Sequence, residues 1–543
     1  MTTPATPAFN LLDEPWIPLR TPAGEVVEAS LADALLNARD YAAIAETSPP
    51  NLIALYRLLL AALHRALTTR HGPWKDADRA RWFRDGLLEA PVRAYLEQWR
   101  ERFWLFHPTH PFMQVGALAT EPATADAIFH SNSISISRFY GPEMFDHTIF
   151  DSAPRPVTSV IRDMLGYYQF VPGGFFPGKK LKGSDKAGAL VSTAAIMPLG
   201  NSLDETLLLS LHPFDARRPD DLPSWERPAP TIAQLLAEPT LAAGPNDRYT
   251  RQSRAVLFVD GGTPGRIQWL RIAAGVALQE DPHAPDSMAC YRINKEGKAI
   301  RVAFNEGRAI WRELPSLVPD PSHSQDIPPA VLEHAANLFN GLGEWDAPMN
   351  VLTAGITFES GQAKPLRWRI EHIELPQALV TQPDAAVFLR QKIRFAENVW
   401  QGLAVQKINK STGKTMNIVV SLRFLLTEMI AQTMPDPTHK DTKFRARDIL
   451  ANGSAAAVFF SAAERALPKL MQQIASGDIE VADREWKTAL DRGARNAWEA
   501  VRRSLGDSPA AMRAEAKTYP RFIGLLKSLI PPIDEPLTEE VNP

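Results

Sequence analysis

The stretch VFFSAAERALPKLMQQI, Val458 to Ile474, decides how the end of the chain folds. Its apolar residues recur at steps of three and four, which is the period of an amphipathic helix. Because Pro468 removes a backbone donor inside this stretch, it should kink the helix. The same pattern recurs in three further segments: Leu389–Leu403, Met416–Met429 and Trp486–Leu505. Four such helices can bury their apolar stripes together, so residues 381–543 are predicted to form a four-helix bundle.

Residues 1–380 show a different pattern. Short apolar runs such as AVLFVD, Ala255–Asp260, and IRVAF, Ile300–Phe304, are separated by stretches rich in proline and glycine. Such runs indicate strands and helices joined by long loops. We therefore predict an α+β chain with a large mixed α/β domain over residues 1–380, followed by the helical bundle. The break should lie in ELPQALVTQPDAAV, between Pro376 and Pro383.

Composition limits the class of protein. The chain has 543 residues, 45% hydrophobic and 22% charged, which is typical of soluble globular proteins and excludes a disordered or collagen-like chain. Its one cysteine, Cys290, excludes a disulfide within the chain and a zinc site with two cysteine ligands. The sequence shows no signal-peptide pattern. It also has no run of about 18 consecutive apolar residues, the length that a membrane span needs. We expect a cytoplasmic protein with no membrane partner and no cofactor.

Charge is unevenly distributed along the chain. Residues 385–543 contain 23 lysines and arginines against 18 aspartates and glutamates, a net charge of +5, whereas the residues before them carry −8. Such asymmetry suggests a surface that faces a polyanion, although solvated mixed-charge helices would also produce part of it.

The loop VPGGFFPGKKLKG, residues 171–183, is the most suggestive local motif. Gly173, Gly178 and Lys179 have the spacing of a phosphate-binding loop, but Lys180 stands where a magnesium-binding hydroxyl is needed. The apolar run that ends in Asp260 keeps a P-loop NTPase open as an alternative. The same loop can instead act as a backbone clamp, in which the glycines permit close approach and the lysines bind phosphate, or it can be a solvated loop.

Other candidate sites are weaker. His107 and His110 in HPTH could suggest a metal pair, but Pro108 lies between them and capping or core histidines are the favoured interpretation. Cys290 is best interpreted as buried filling. No HExxH, GxSxG or CxxC motif occurs, so the common hydrolase and redox templates find no support.

Several phrases resemble the CasA family, the large subunit of the type I-E CRISPR Cascade surveillance complex. The opening FNLLDEPWIPLRTPAGEVVEASLADAL, Phe9–Leu35, is similar to the family's start, and HPTHPFMQV, MFDHT, YTRQSRAV and RAIWREL follow in the family's order. The basic C-terminal segment is similar to the family's helical bundle. The resemblance therefore covers nearly the whole chain.

This resemblance implies a non-catalytic subunit with a defined set of partners. It would recognise the protospacer-adjacent motif in double-stranded target DNA, begin strand separation for R-loop formation and recruit a helicase-nuclease. Its other partners would be the guide RNA and the backbone and small Cascade subunits. A structural scaffold that does not touch DNA is the further alternative.

The resemblance also assigns roles to individual residues. Gly173 and Gly174, with Lys179 and Lys180 behind them, correspond to the loop that enters the minor groove beside the motif. Gln362 and Ala363 in ESGQAKPLRW correspond to the wedge that separates the first target base pair, although an ordinary polar hairpin turn has the same pattern.

The remaining assignments include one departure from the family. The family's minor-groove lysine aligns close to Leu270, so Arg271 is the nearest basic residue, which puts the motif preference in doubt. Phe145 and His147 correspond to the loop that faces the 5′ handle of the guide RNA. Basic residues of the bundle are predicted to hold the displaced DNA strand: Lys407, Lys410, Lys414, Lys443 and Arg445.

Overall fold

A computed structural model describes residues 6–119, 154–173, 187–259, 264–267, 269–279, 285–294, 296–305, 307–318, 326–343, 348–358, 365–408 and 415–529. The chain divides into two compact units. Unit 1 comprises Met1–Ile310 and Ser316–Thr381, and unit 2 comprises Trp311–Pro315 and Gln382–Pro543. The pentapeptide Trp311–Pro315 thus belongs to unit 2, although the chain on both sides of it belongs to unit 1.

Helices dominate the described residues. In chain order they are α1 Leu31–Leu36, α2 Pro49–Ala66, α3 Asp76–Asp85, α4 Glu89–Trp99, α5 Val157–Phe170, α6 Leu203–Ser210, α7 Ile232–Leu236, α8 Pro245–Thr250, α9 Leu314–Leu317, α10 Ala330–Leu342, α11 Ala378–Thr381, α12 Pro383–Gln401, α13 Leu422–Gln432, α14 Lys440–Asn452, α15 Ala455–Ala475, α16 Ile479–Leu505 and α17 Pro509–Leu529.

The strands are short apart from one long hairpin. They are β1 Ala8–Asn10, β2 Ile17–Arg20, β3 Val26–Ala29, β4 Ala43–Ile44, β5 Trp104–Phe106, β6 Arg155–Pro156, β7 Ala194–Leu199, β8 Arg254–Val259, β9 Arg266–Ile267, β10 Trp269–Ala274, β11 Tyr291–Ile293, β12 Ala299–Arg301, β13 Asp326–Ile327, β14 Met349–Phe358, β15 Pro365–Leu375, β16 Leu403–Ile408 and β17 Thr415–Val420. Every paired ladder in the described part is antiparallel, as in α+β rather than α/β proteins. The predicted α+β class is confirmed.

The core of unit 1 surrounds α2, almost all of whose residues are buried. Among the described residues, the helical run Pro49–His71 is the one that is long and apolar enough to cross a membrane, and 83% of its most apolar window is buried inside the protein, as in a core helix. Arg57 of α2 is fully buried, pairs with Asp286 and donates to Gln169 of α5 at 2.8 Å. The Arg57 guanidinium also lies 4.7 Å from the ring centre of Tyr249 in α8. One buried cation therefore joins three parts of this core.

Unit 2 is built around long amphipathic helices. Its helix α15 packs along α16, and Trp486 of α16 donates to the carbonyl of Lys392 in α12 at 2.9 Å. Trp498 of α16 stacks on Phe522 of α17 with ring centres 4.3 Å apart. The pentapeptide adds Trp311, whose ring lies edge-on to Trp486 at 6.5 Å, and Arg312, which forms a bidentate pair with Glu397 at 2.5 and 2.9 Å.

The helical C-terminal region is confirmed, but its elements differ from the predicted four. The described part of unit 2 has six helices, α12–α17, and a β-hairpin. The pattern missed α14 because this helix buries only Ala446 and Leu450, and it missed α17, which contains Pro520. Pro468 lies inside α15 and does not end that helix.

The predicted helix Met416–Met429 is wrong in its first part. Residues Thr415–Val420 form β17, paired with β16, and α13 begins only at Leu422. Ile418, Val419 and Val420 are β-branched and favour a strand. The side chain of Ser421 accepts a hydrogen bond from the amide of Phe424 at 2.9 Å, which caps the helix at its true start.

Candidate nucleic-acid interface

The base of the glycine- and lysine-rich loop is held by backbone hydrogen bonds. Helix α5 ends at Phe170, and the next residue, Val171, accepts a bond from the amide of Gly188 at 2.8 Å. The amide of Leu190 donates to the carbonyl of Gln169 at 2.7 Å. The described residues on either side of segment 174–186 are therefore joined by backbone hydrogen bonds. Of the loop residues predicted to bind DNA, Gly173 is half-buried at this base, whereas Gly174, Lys179 and Lys180 lie outside the described residues.

Gly188 is required at this base because the backbones approach closely. A Cβ atom at this position would lie 2.4 Å from the carbonyl oxygen of Gln169 and 2.8 Å from the amide nitrogen of Phe170. Both neighbours are backbone atoms that cannot move without disturbing α5. Only glycine fits here, so Gly188 allows the close backbone approach at the base of the loop.

Arg254, at the start of β8, anchors the residue before Gly173. Its side chain is buried, and Nη2 donates to the carbonyl of Pro172 at 2.8 Å while Nη1 donates to that of Ser253 at 3.1 Å. Burial lowers the pKa of Arg254, and the nearby Tyr167 opposes this shift. The residue that precedes Gly173 is thus fixed by a buried guanidinium. Nothing in the sequence pattern marked Arg254.

The predicted wedge residues, Gln362 and Ala363, belong to the connection between β14 and β15 and lie outside the described residues. Their stem is described: β14 and β15 pair from Met349 opposite Leu375 to Phe358 opposite Pro365, with a register shift at Thr357 and Phe358. Residues 359–364 therefore connect two paired antiparallel strands, and whether they form an ordinary polar turn or a wedge is not decided by this pairing. Their role as a wedge stays a prediction.

The stem of the wedge and the end of the lysine loop meet in one sheet. β14 lies between β15 and β7, and Gly355 near the tip of the stem pairs with Ala194, the first residue of β7. Since β7 follows the loop base within a few residues, segments 174–186 and 359–364 are both attached at this end of the sheet. A Cβ on Gly355 would lie 2.5 Å from the carbonyl oxygen of Thr193, so the strands are closely packed there.

The guanidinium of Arg369 packs and hydrogen-bonds beside the same part of the β14–β15 stem. Arg369 of β15 lies opposite Gly355, and its Cζ atom is 4.6 Å from the ring centre of Phe304. Its Nη1 donates to the carbonyls of Asn305 at 2.9 Å and Arg308 at 3.0 Å, and the side chain also pairs with Glu371. This arginine therefore stabilises the stem, and it was not identified from the sequence.

Arg271, the predicted minor-groove residue, lies in β10 and is half-buried. Its Nη1 donates to the carbonyl of Leu118 and, at 3.1 Å, to that of Ala119. Leu270 beside it is 1% exposed, so the position that aligns with the family's lysine faces the core. The described contacts of Arg271 hold the residues that precede segment 120–153. A contact with DNA stays a prediction.

Segment 120–153 contains Phe145 and His147, which both lie outside the described residues. Arg271 holds the residues before this segment, and the residues after it, Arg155 and Pro156, pair with β9. Arg266 of β9 adds a bond from Nε to the carbonyl of Pro154 at 3.0 Å. The residues on either side of the segment are thus held by β9 and β10, which follow each other in the chain but belong to separate two-stranded sheets.

The basic residues of α14 are on the surface of unit 2. Lys443 and Arg445 are exposed, as are Lys440 and Arg447, and Phe444 between them is 62% exposed. Among the other predicted contacts, Lys407 lies in β16 opposite Met416, whereas Lys410 and Lys414 lie outside the described residues. The side chains of α14 therefore offer phosphate-binding cations with an aromatic ring among them.

A groove between α15 and α16 adds cations that the sequence analysis missed. Its volume is about 450 Å³, and its lining includes Arg465, Lys469, Arg484 and Arg492. Glu485 also lines it, pairs with Lys469 at 2.8 Å and has its pKa lowered mainly by this bond and by Gln473. The four-residue step from Arg465 to Lys469 and the eight-residue step from Arg484 to Arg492 are signals that could have revealed this face.

The alternative chemistry gains no support from the described residues. No group of three or more histidine, cysteine, aspartate or glutamate side chains in that part of the chain could hold a metal ion. Cys290 is buried and its Sγ donates to the carbonyl of Ser316 at 3.0 Å, as expected for core filling. His107 Nδ1 accepts from the amides of Thr109 and His110 at 3.2 and 3.1 Å, which confirms the capping interpretation. Lys179 and Asp260, the NTPase candidates, lie outside the described residues.

Comparison with known proteins extends over almost the whole chain. The family profile described as CRISPR-associated protein Cse1 matches residues 10–497. The chain is 31% identical over 528 residues to the CRISPR-associated protein CasA/Cse1 of Thermus thermophilus, covering 96% of this chain and 98% of the relative. A crystal structure of Thermus thermophilus CasA superposes with a TM-score of 0.79 at 29% identity, over 96% of this chain and 99% of that one. A chain of a solved CRISPR RNA-guided surveillance complex shares the fold, with a TM-score of 0.67 at 19% identity, over 95% of this chain and 100% of that one.

Proposed function

The chain belongs to the Cse1 family of CRISPR-associated proteins, and from this membership we propose that it is the large, non-catalytic subunit of a type I-E Cascade surveillance complex. Its partners would be the guide RNA, the backbone and small subunits and double-stranded target DNA. Similarity to CasA of Thermus thermophilus and to a chain of an RNA-guided surveillance complex supports this assembly. The proposal places the protein in the cytoplasm, where guide RNA and target DNA meet.

In this complex, the protein recognises the protospacer-adjacent motif and starts strand separation. The observation that carries this proposal is the common attachment of segments 174–186 and 359–364 at one end of the β7–β14–β15 sheet. Gly173 and Gly174 would approach the minor groove, with Lys179 and Lys180 near phosphates, while Gln362 and Ala363 enter the duplex. Base pairing with the guide then reads the sequence, a division of labour known for other RNA-guided effectors.

Two further surfaces complete the proposed role. Segment 120–153, with Phe145 and His147, would face the 5′ handle of the guide RNA, and Arg271 would fix the start of this segment. Lys443 and Arg445 on α14, with Lys407, Lys410 and Lys414 of the hairpin, would neutralise phosphates of the displaced strand. The opened complex would then recruit a helicase-nuclease, which would supply the catalysis.

The test is duplex binding by the guide-RNA complex, reconstituted with and without this chain, on targets that carry a library of flanking motifs at one salt concentration. We expect the chain to create motif-dependent affinity, and Gln362→Ala or Gly174→Asp to reduce it roughly tenfold or more. The matched control is Gln98→Ala, an exposed glutamine on α4 that bonds Arg70.

Each contrary result has a clear meaning. Unchanged affinity with no preferred motif would overturn the proposal. A chain that joins the complex but tolerates both substitutions would be a structural scaffold. Nucleotide turnover by the isolated chain, lost in Lys179→Ala, would favour the P-loop NTPase instead.

A further inference from the structure

A polar cavity of about 360 Å³ lies within unit 1 and uses none of the residues assigned above to nucleic acid. Its walls come from the helices α2, α8 and α10 and from the residues that follow α6. The inner part is lined by His64, His212 and His334. Exposure rises towards a mouth, since the side chain of His212 is 6% exposed whereas that of Arg217 is 88% exposed.

The histidines of the inner wall are held in their neutral form. The rings of His64 and His212 stack with centres 3.7 Å apart, and the amide nitrogen of Asn246 lies 2.9 Å from His64 Nδ1. Burial is the main cause that lowers the pKa of His64 to about 3 and that of His334 to about 3, and it also lowers the pKa of His212. The inner wall therefore offers hydrogen-bonding atoms without histidine charge.

Polar atoms around this cavity lack hydrogen-bond partners. They are the hydroxyl of Thr68, both ring nitrogens of His212, the side-chain oxygen of Asn246 and Nδ1 of His334. All four residues line the same cavity. A buried polar group without a partner is costly and rare, so their convergence indicates that something polar occupies the space, either a ligand or water.

The mouth of the cavity is lined by charged side chains, unlike the neutral histidines of the inner wall. Arg65 is bound by Glu226 through two bonds of 2.8 and 2.7 Å, whereas Arg217 and Arg218 share one carboxylate, that of Asp215, at 2.9 and 3.4 Å. Arg65 is only 12% exposed and is paired with Glu226, so the exposed mouth itself has two guanidiniums and one carboxylate. The excess positive charge favours an anion at the mouth.

The depth of the cavity holds buried charges of both signs, the carboxylate of Asp221 and the guanidinium of Arg248. The Asp221 carboxylate lies 3.9 Å from His212 Nε2 and accepts bonds from the side chain of Asn246 at 3.0 Å and the amide of Asp247 at 2.9 Å. With one carboxylate and one guanidinium in this poorly solvated place, the inner wall has no excess charge for a ligand to neutralise. The ligand that fits is therefore uncharged and polar at its inner end and anionic at its outer end.

We propose that this cavity binds one nucleoside monophosphate unit, with the base and sugar against His212, His334, Asn246 and Thr68 and the phosphate at Arg217 and Arg218. The volume lies at the small end of ligand-binding cavities, which suits a single nucleotide rather than a larger cofactor. A free mononucleotide and the 5′-phosphorylated end of an RNA strand share this chemistry. This inference does not depend on the proposed role in DNA recognition.

The test is isothermal titration calorimetry of the full chain with AMP, CMP, adenosine, inorganic phosphate and a short 5′-phosphorylated RNA. We expect a monophosphate, free or on the RNA, to bind roughly tenfold or more tightly than adenosine or inorganic phosphate. Binding by AMP or CMP would identify a free nucleotide as the source, and binding by the RNA alone would identify a strand end.

Two variants and a control make the test specific. His212→Phe keeps a ring against His64 but removes both nitrogens, so binding should be lost while thermal stability stays or rises, because two unpaired polar atoms are removed. Arg218→Ala should weaken monophosphate binding and leave adenosine binding unchanged. The control Arg93→Ala removes an exposed arginine on α4 that pairs with Glu89. Absence of binding by every probe, equal binding of inorganic phosphate and AMP, or full binding by a folded His212→Phe protein would each overturn the proposal.

Discussion

The guanidinium of Arg254 is buried in unit 1. It donates a hydrogen bond to the carbonyl of Pro172, the residue directly before Gly173. Lysine cannot reproduce a planar fork that reaches two carbonyls, so we expect Arg254→Lys to lower the free energy of unfolding by about 2 kcal/mol and to weaken motif-dependent DNA binding. Urea denaturation and the duplex-binding assay measure the two effects. Arg266→Lys is the control, because its bond to Pro154 is exposed. Equal losses in both variants would contradict a special role for Arg254.

The buried histidines predict how stability depends on pH. The pKa of His334 falls to about 3, by burial and by the charge of Arg79, whereas an unfolded histidine titrates near 6.5. The unfolded chain therefore binds more protons between these values, and the stability contributed by neutral His334 is lost as pH falls below about 6.5. Glutamine cannot take up this proton. We expect the stability of the wild-type protein relative to His334→Gln to fall by about 1 kcal/mol between pH 7.5 and pH 5.5.

Urea denaturation of the two proteins across this range is the measurement. Between pH 7.5 and pH 8.5 the difference in the free energy of unfolding between them should stay constant, which serves as the control. A difference that is also constant down to pH 5.5 would show that His334 takes up its proton equally in the folded and unfolded states.

At the scale of elements, helix α14 gives the sharpest prediction for DNA binding. Removing Lys443 and Arg445 together should flatten the plot of log affinity against log salt by roughly 1.4 if each holds one phosphate of a single strand. The measurement is binding of the complex to the opened target at several salt concentrations. The control is the double substitution Arg495→Ala and Arg503→Ala on α16. These two arginines form ion pairs with Asp491 and Glu499. Equal flattening in both proteins would mean that general charge, and not α14, attracts the strand.

The elements also show what the sequence can predict and what it cannot. The stripes that place α12, α15 and α16 are local, so periodicity found them. It failed at Met416–Val420, where the apolar run is too short to separate a strand from a helix. The hairpin connection around Gln362 was foreseeable from its glycine and polar residues. Arg254 was not, because its partner is a backbone carbonyl that only the tertiary fold brings near.

At the scale of the whole molecule, the division into two units can be tested through two buried tryptophans. Trp311→Ala should open unit 2, because the ring lies against Phe460 and Trp486, and loss of a buried tryptophan costs about 3–5 kcal/mol. Hydrogen exchange should then speed up in α15 and α16 and not in α2. Trp225→Ala, which removes contacts with Phe103 and Phe112 in unit 1, should give the reverse pattern. Faster exchange in both units with either variant would show that they unfold together.

The pentapeptide Trp311–Pro315 has a consequence for biosynthesis. It leaves the ribosome long before the helices that bury it, since Leu529 is made roughly 10 to 40 s after Pro315 at ordinary elongation rates. During this interval unit 1 can fold on the nascent chain, but Trp311 and Arg312 have no helix to receive them. Completion of unit 2 thus has to wait until α12, α15 and α16 have been synthesised, and Trp311 stays without its aromatic partners on the nascent chain until then.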